Sequence, residues 1–275
     1  MFDDPRTLIA GDWHGSYQWA LMVFELAHKQ GIKTLYHVGD FGVWPGAGGF
    51  MYRQTLDSWL RSHDSYLIVT LGNHEDYDQV ETWPTNDEGF IVEPKRPHIW
   101  YCPRGFVWEH AGARMGSLGG AFSIDKYLRG YRTEWWPQEE ITWDDVKAMQ
   151  TNMKYRGWEA LDIVLTHDIP AGLPVGTKQF NLPPELEFES YRQRSILRDG
   201  IDLVMPHSVV HGHWHKVLDN VLEGVGPHGI DYEAQVLGLS NEYQAGNFII
   251  ADILPGIGLN NVTWSEGRHH PTWNR

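Results

Sequence analysis

The chain has 275 residues, 41% of them hydrophobic and 21% charged, and no segment is low in complexity. That composition supports a large buried core and excludes wholesale disorder. The 36 acidic and 22 basic side chains give a formal net charge of -14, which argues against binding of long nucleic acid but not against a small phosphorylated substrate.

The first apolar run, Thr7-Leu8-Ile9-Ala10, predicts a strand ending in Gly11-Asp12-Trp13-His14-Gly15. Asp12 and His14 lie two residues apart, so in extended backbone they face one side as a small chelate for a divalent ion. A helix is expected from Ser16, as N-cap, to Gln30. Trp19, Met22, Val23, Leu26 and Ala27 are at helical spacing and Gly31 is the stop. Thr34 to Val38 reads as a second strand running into Gly39-Asp40-Phe41-Gly42. A glycine-rich loop, Pro45 to Gly49, then leads to a helix from Phe50 to Arg61. Tyr66 to Leu71 is a third strand, ending in Gly72-Asn73-His74-Glu75. This β-α-β-α-β alternation predicts parallel strands with helical crossovers. Ligands of such sheets sit beyond the carboxyl ends of the strands, so Asp12, His14, Asp40, Asn73 and His74 are expected in one crevice.

Residues 76 to 100, with Pro84, Pro94 and Pro97, read as irregular. Cys102 is the only cysteine, which excludes an intramolecular disulfide. Short strands are expected at Phe106–Trp108 and Ala113–Leu118, then a tight turn at Gly119 to Lys126 and an aromatic, mixed-charge stretch over 127–141. Thr142 and Asp145 are spaced as a capping pair for a helix to Met153. Ile163 to Thr166 predicts a buried strand presenting His167 and Asp168. Residues 171 to 189 read as a surface loop, Tyr191 to Leu197 as a helix, and Ser208 to Val210 as a strand entering His211-Gly212-His213-Trp214-His215. Tyr232–Gly238, Asn247–Ile253 and Leu259–Trp264 read as three antiparallel strands. No internal repeat or linker interrupts the chain, so residues 1–275 are expected to form a single domain. No stretch approaches ~20 apolar residues, so no membrane span is expected. The acidic N-terminus lacks a signal core, and a cytoplasmic location is the expectation.

The candidate metal ligands are Asp12, His14, Asp40, Asn73, His167, His213 and His215, all at strand ends, with His74 beside them. Structural zinc sites use four ligands and favour Cys. Here seven oxygen and nitrogen ligands gather without one, which suits two ions bridged by a carboxylate, ~3.5–4 Å apart, as used for displacement at phosphorus. Mixed imidazole and oxygen ligation suits Mn foremost, with Fe, Zn or Ni as alternatives; Mg prefers oxygen alone.

Asp-x-His-Gly, Gly-Asp, Gly-Asn-His-Glu, Thr-His and Gly-His-x-His, in this order over roughly residues 7 to 216, resemble the calcineurin-like metallophosphoesterases. The resemblance implies an α/β fold, a two-sheet β-sandwich flanked by helices, with a dinuclear metal centre. By motif it implies that Asp12, His14 and His215 bind the first metal, that Asn73, His167 and His213 bind the second, and that Asp40 bridges. It makes His74 the non-ligand catalytic histidine that assists the leaving group or stabilises the transition state, while metal-activated water attacks phosphorus. Gly42-Val43-Trp44 and Leu71 stand where protein Ser/Thr phosphatases carry an Asp-Arg-Gly extension and an arginine, which argues against that branch. Gly119 to Lys126 with Trp135-Trp136-Pro137 is similar to small bacterial and phage members.

The leading expectation is therefore hydrolysis of small phosphodiesters, cyclic nucleotides among them. A phosphomonoesterase or dinucleoside polyphosphate hydrolase is the alternative, followed by a nuclease or a non-catalytic metal-binding scaffold. Asp125, Lys126, Arg129 and Arg132 are candidate substrate contacts, since basic side chains at the mouth grip phosphate. His211 reads as a support or packing residue and His37 as structural. Asp168 either orients His167 or caps the following turn. Trp13 and Phe41 either wall the pocket or pack in the core.

Overall fold

The computed structural model describes residues 2–175 and 182–266. Two sheets face each other, and each carries helices on its outer side. At the centre of the first sheet, β1 (Arg6–Ala10), β2 (Thr34–Val38) and β3 (Tyr66–Thr70) run parallel, joined by α1 (Tyr17–Lys29) and α2 (Gly46–Ser62). A single turn, α3 (Tyr77–Val80), leads to β4 (Ile91–Val92) and β5 (Ile99–Tyr101), with β5 parallel to β3. The second sheet contains β6 (Phe106–His110), β7 (Ala113–Leu118), β8 (Ile163–Thr166), β9 (Ser208–His211), β10 (Leu218–Val225) and β11 (Asp231–Gly238). Its four inner strands, β7, β8, β9 and β11, are parallel. Its outer face carries α4 (Trp143–Arg156) and α5 (Pro184–Val204). The chain then returns to the first sheet, where β12 (Phe248–Leu254) pairs antiparallel with β1, and β13 (Gly258–Trp264) forms the edge.

Period-2 alternation divides each strand between two apolar layers. In β1, Leu8 and Ala10 face α1, whereas Ile9 packs between the sheets. In β3, Leu67 and Val69 face the helices and Ile68 faces inward. In β8, Ile163 and Leu165 face inward and Val164 packs under α4 and α5. These layers close mainly on apolar side chains, and the polar strand ends that carry the candidate ligands lie outside them. Stripping divalent ions with a chelator is therefore expected to leave the far-UV circular dichroism at ambient temperature unchanged; collapse of that signal would show that folding depends on metal, as in a zinc finger.

Several sequence expectations need correction. Ser16 stands at the N-cap position of α1, but its hydroxyl bonds Tyr243 Oη at 2.7 Å and caps nothing. The loop expected at Pro45–Gly49 is largely the first turn of α2. Gly49 sits there because a Cβ would overlap the Trp44 carbonyl of the turn that leads into the helix, so close packing overrides poor helix propensity. The irregular stretch over 76–100 holds α3, β4 and part of β5. α5 begins inside the predicted loop, with Pro184 and Glu185 suited to a first turn, and passes through Gly200, where a Cβ would press on Leu118. β10 escaped prediction because it is a half-exposed edge strand. The three C-terminal strands do not form one antiparallel group: β11 is parallel to β9 in the second sheet, and only β12 and β13 join the first. Part of the predicted 171–189 loop, residues 176–181, lies outside the described residues.

Candidate metal centre

The carboxyl ends of β1, β2 and β3 in one sheet and of β8 and β9 in the other meet at a single edge. Backbone bonds lace the loops together: Asp12 N–H donates to Gly39 O (3.1 Å), His14 N–H to Asp40 O (2.8 Å) and Gly212 N–H to His167 O (3.1 Å). Asp12, His14, Asp40 and His215 bring potential ligand atoms within 4.8 Å of one another, as do Asp40, His167 and His213. Asp40 belongs to both groups. Asn73 completes the second, its Oδ1 lying 2.9 Å from His167 Nε2.

Local backbone is strained to achieve this. Asp12, His14, Asp40, His213 and His215 have φ of 52°, 42°, 53°, 64° and 52°, a left-handed region that residues with a side chain rarely occupy. Five such residues in one site mark loops whose shape is held by the surrounding fold for a purpose other than stability. Two motif glycines show the crowding. A Cβ on Gly72 would overlap Asp40 Oδ1, and one on Gly212 would overlap Asp12 Oδ2.

Hydrogen bonding turns the imidazoles inward. His167 Nδ1–H donates to Val38 O at 2.7 Å, tying the second sheet to the first. Its Nε2 then faces Asn73 Oδ1 at 2.9 Å and Asp40 Oδ1 at 3.2 Å, so three electron-rich atoms converge unless a proton or cation sits among them. Burial opposes charge on His167, but Asp40 outweighs it and raises the pKa to about 10. For His14, burial is likewise outweighed by the hydrogen bonds to Asp40 and Glu242, and the pKa rises to about 11. The site draws positive charge, and its donor set fits divalent ions. His213 behaves oppositely: burial and then the neighbouring His167 lower it to about 3, leaving a neutral ring with a free lone pair. His215 Nε2 lies 3.4 Å from Asp12 Oδ1 on the more open side.

Sequence reasoning missed the partner of His14. Glu242, in the loop between β11 and β12, accepts from His14 Nδ1 at 2.9 Å, and its own N–H donates to Asp12 O at 3.0 Å. A carboxylate on the far nitrogen of a ligating imidazole fixes its tautomer and orientation. No motif surrounds Glu242, and only the return of the chain to β1 brings it here. Glu242→Ala is expected to weaken metal binding by ~10–100-fold, read by chelator competition, with the melting temperature little changed. Glu75 had a visible signal, its place in Gly-Asn-His-Glu. Buried, it accepts N–H bonds from Phe41 (2.7 Å), Gly42 (3.2 Å) and Gly72 (2.5 Å), joining two ligand loops.

At the rim, His74 N–H donates to Asp40 Oδ1 at 3.0 Å, and the ring Nδ1 lies 3.3 Å from Arg129 Nη1. Of the other charged candidates, Asp125 pairs with Arg129 (3.0 Å), Lys126 with Glu140 (2.6 Å), and Arg132 with Asp78. Asp168 Oδ1 accepts from Ile169 N–H (2.8 Å) and Trp214 Nε1–H (2.7 Å), so it caps the turn and anchors Trp214. His211 is buried, with Nδ1 donating to Gly212 O at 3.0 Å. His37 is packed against the rings of Trp13 (4.5 Å) and Phe41 (5.4 Å), all three in the core.

The family profile of calcineurin-like phosphoesterases matches residues 5–217. No curated protein sequence matches the chain. Among solved structures, TT1561 of Thermus thermophilus superposes with a TM-score of 0.53 at 12% identity, covering 90% of this chain and 94% of that one, a likeness of fold. A phosphopantetheinyl hydrolase from Mycobacterium tuberculosis gives 0.39 at 16% identity, over 86% and 91% of the two chains, too low a score to carry an argument. No helix among the described residues is long and apolar enough to cross a membrane. The profile ends just past His215, so every candidate ligand from Asp12 onward falls within it. The chain belongs to the calcineurin-like phosphoesterase family and is a metal-dependent phosphoesterase.

Proposed function

We propose that this protein hydrolyses small phosphodiesters, cyclic nucleotides among them, at a centre of two divalent ions bridged by Asp40. The observation that carries the reading is the position of the Asp40 carboxylate, with Oδ2 3.5 Å from His14 Nε2 and Oδ1 3.2 Å from His167 Nε2. Asp12, His14 and His215 would hold one ion, and Asn73, His167 and His213 the other. Mn is the metal best suited to this imidazole and oxygen set, with Fe, Zn or Ni as alternatives. Divalent ions held there supply Lewis-acid charge and activated water for displacement at phosphorus.

The chain's own residues position and stabilise. His74 presents its ring at the rim, beside the ligand loop, where the departing oxygen carries charge. Arg129 brings a guanidinium to the same place. The pairing of Lys126 with Glu140 and of Arg132 with Asp78 leaves little free cationic charge there, which favours a diester monoanion over a monoester dianion. The single cysteine, Cys102, is buried and has no partner for a disulfide, in keeping with a cytoplasmic protein.

The test compares an aryl phosphodiester with the matching monoester on Mn-loaded protein. Faster turnover of the diester is expected. Faster turnover of the monoester would replace this reading with a phosphomonoesterase. No turnover of either, with metal fully bound, would point to a binding scaffold.

A further inference from the structure

A chain of polar contacts runs behind the candidate metal centre, through residues of the loop after β7. Asn73 Nδ2–H donates to Ser123 Oγ at 2.8 Å, and Ser123 Oγ–H donates to Glu139 Oε2 at 2.5 Å. Arg129 Nη2–H donates to the same Glu139 oxygen at 3.0 Å, and Glu139 Oε1 accepts from Trp136 N–H at 3.0 Å. Glu139 is fully buried. The guanidinium it anchors is held from other sides too, by Glu134 O at 2.8 Å and the Asp125 carboxylate at 3.0 Å. From that seat Nη1 faces His74 Nδ1 at 3.3 Å.

The chemistry of this last contact is decisive. A guanidinium has five N–H donors and no acceptor. The ring nitrogen facing it must therefore offer a lone pair. A proton on Nδ1 would set an N–H donor against a guanidinium N–H 3.3 Å away, with no acceptor between them. Nδ1 is thus bare, and the one ring proton sits on Nε2.

We propose that Arg129 is a positioning residue for His74, fixing the tautomer that carries its proton on Nε2, and that Glu139 and Ser123 hold Arg129 and the candidate ligand Asn73 in one frame. His74 then aids the reaction by donating a hydrogen bond from Nε2 to a charged substrate oxygen. It keeps its proton, because losing it would leave an imidazolate. The proposal rests on the phosphoesterase reading for its purpose, but the tautomer is a property of the protein alone.

The experiment uses Zn-loaded protein with 15N-labelled histidine. Long-range 15N–1H spectra distinguish protonated from bare ring nitrogens, and His74→Gln identifies the His74 signals. The wild type is expected to show bare Nδ1 and protonated Nε2. Arg129→Met is expected to mix the tautomers, and Arg129→Lys, which keeps a donor, to restore the wild-type pattern. A protonated Nδ1 in the wild type, or a spectrum unchanged in Arg129→Met, overturns the proposal. Should Arg129→Met not fold, Glu139→Gln loosens the same arginine, and a tautomer indifferent to it has the same adverse meaning. In turnover, Arg129→Met and His74→Ala should each slow an alkyl diester, and the double variant should be no slower than His74→Ala alone. Equal, independent losses would make Arg129 a separate substrate contact. If no phosphoester is hydrolysed while the tautomer still follows Arg129, the phosphoesterase reading fails and the positioning role stands.

Discussion

Asp40→Ala is expected to abolish paired metal binding and to lower turnover to that of chelator-treated protein. The loss should be at least as large as the ~10²–10⁴-fold ascribed to an acid–base group. Asp40 is buried at the end of β2, and its two oxygens face different imidazoles. No other carboxylate among the described residues belongs to both ligand groups. Oδ1 also accepts the N–H groups of Asn73 (3.1 Å) and His74 (3.0 Å), so alanine strands one buried and one half-buried donor as well as removing the charge. Each donor left unpaired costs about 1–3 kcal/mol, and some loss of melting temperature is expected. Asp40→Asn separates the two effects, since its amide oxygen still accepts these bonds but carries no charge. Metal analysis should find two ions per chain in the wild type and fewer in Asp40→Asn. A variant that keeps both ions would remove the bridging role, and a wild type holding one ion despite added Mn would remove the two-metal centre.

His74→Ala is expected to leave metal content near that of wild type and to slow turnover of substrates with poor leaving groups by ~10²–10³-fold, the loss of one hydrogen-bond donor to a developing charge. Its backbone N–H is tied to Asp40, but its ring lies outside both ligand groups and faces Arg129. Charge on an alkoxide leaving oxygen needs stabilisation by an N–H donor, and a nitrophenolate needs far less. The deficit should therefore shrink sharply on a nitrophenyl diester. Measuring occupancy and turnover together decides the matter. Loss of one ion would make His74 a ligand, and equal deficits on both substrates would remove its action on the leaving oxygen.

The centre of each sheet and the ligand-bearing edge were legible in the sequence because both rest on local patterns. Ile163–Thr166 is a continuous buried run, Ala113–Leu118 is buried apart from Arg114, and Thr142 with Asp145 forms the capping box that starts α4. The gathering of the candidate ligands Asp12, His14, Asp40, Asn73, His167, His213 and His215 was legible because each follows an apolar strand and parallel topology brings such ends together. What local pattern could not reveal was anything fixed by packing. Gly49 and Gly200 lie inside helices because a neighbour leaves no room for a Cβ, whereas the sequence places Gly49 in a loop and ends the later helix at Leu197. β10 lacks a strand signal because its apolar residues, Leu218, Val221, Leu222 and Val225, do not alternate, and its edge position leaves Val221 and Val225 exposed. The supporting shell is the clearest case. Glu242 reaches His14 across 228 positions of sequence, and Glu139 reaches Arg129 and Ser123 from an aromatic, mixed-charge stretch in which no motif marks it. Ligands recur in motifs because the metal constrains their spacing. The residues that orient them need only arrive in space, and tertiary structure alone decides which ones do.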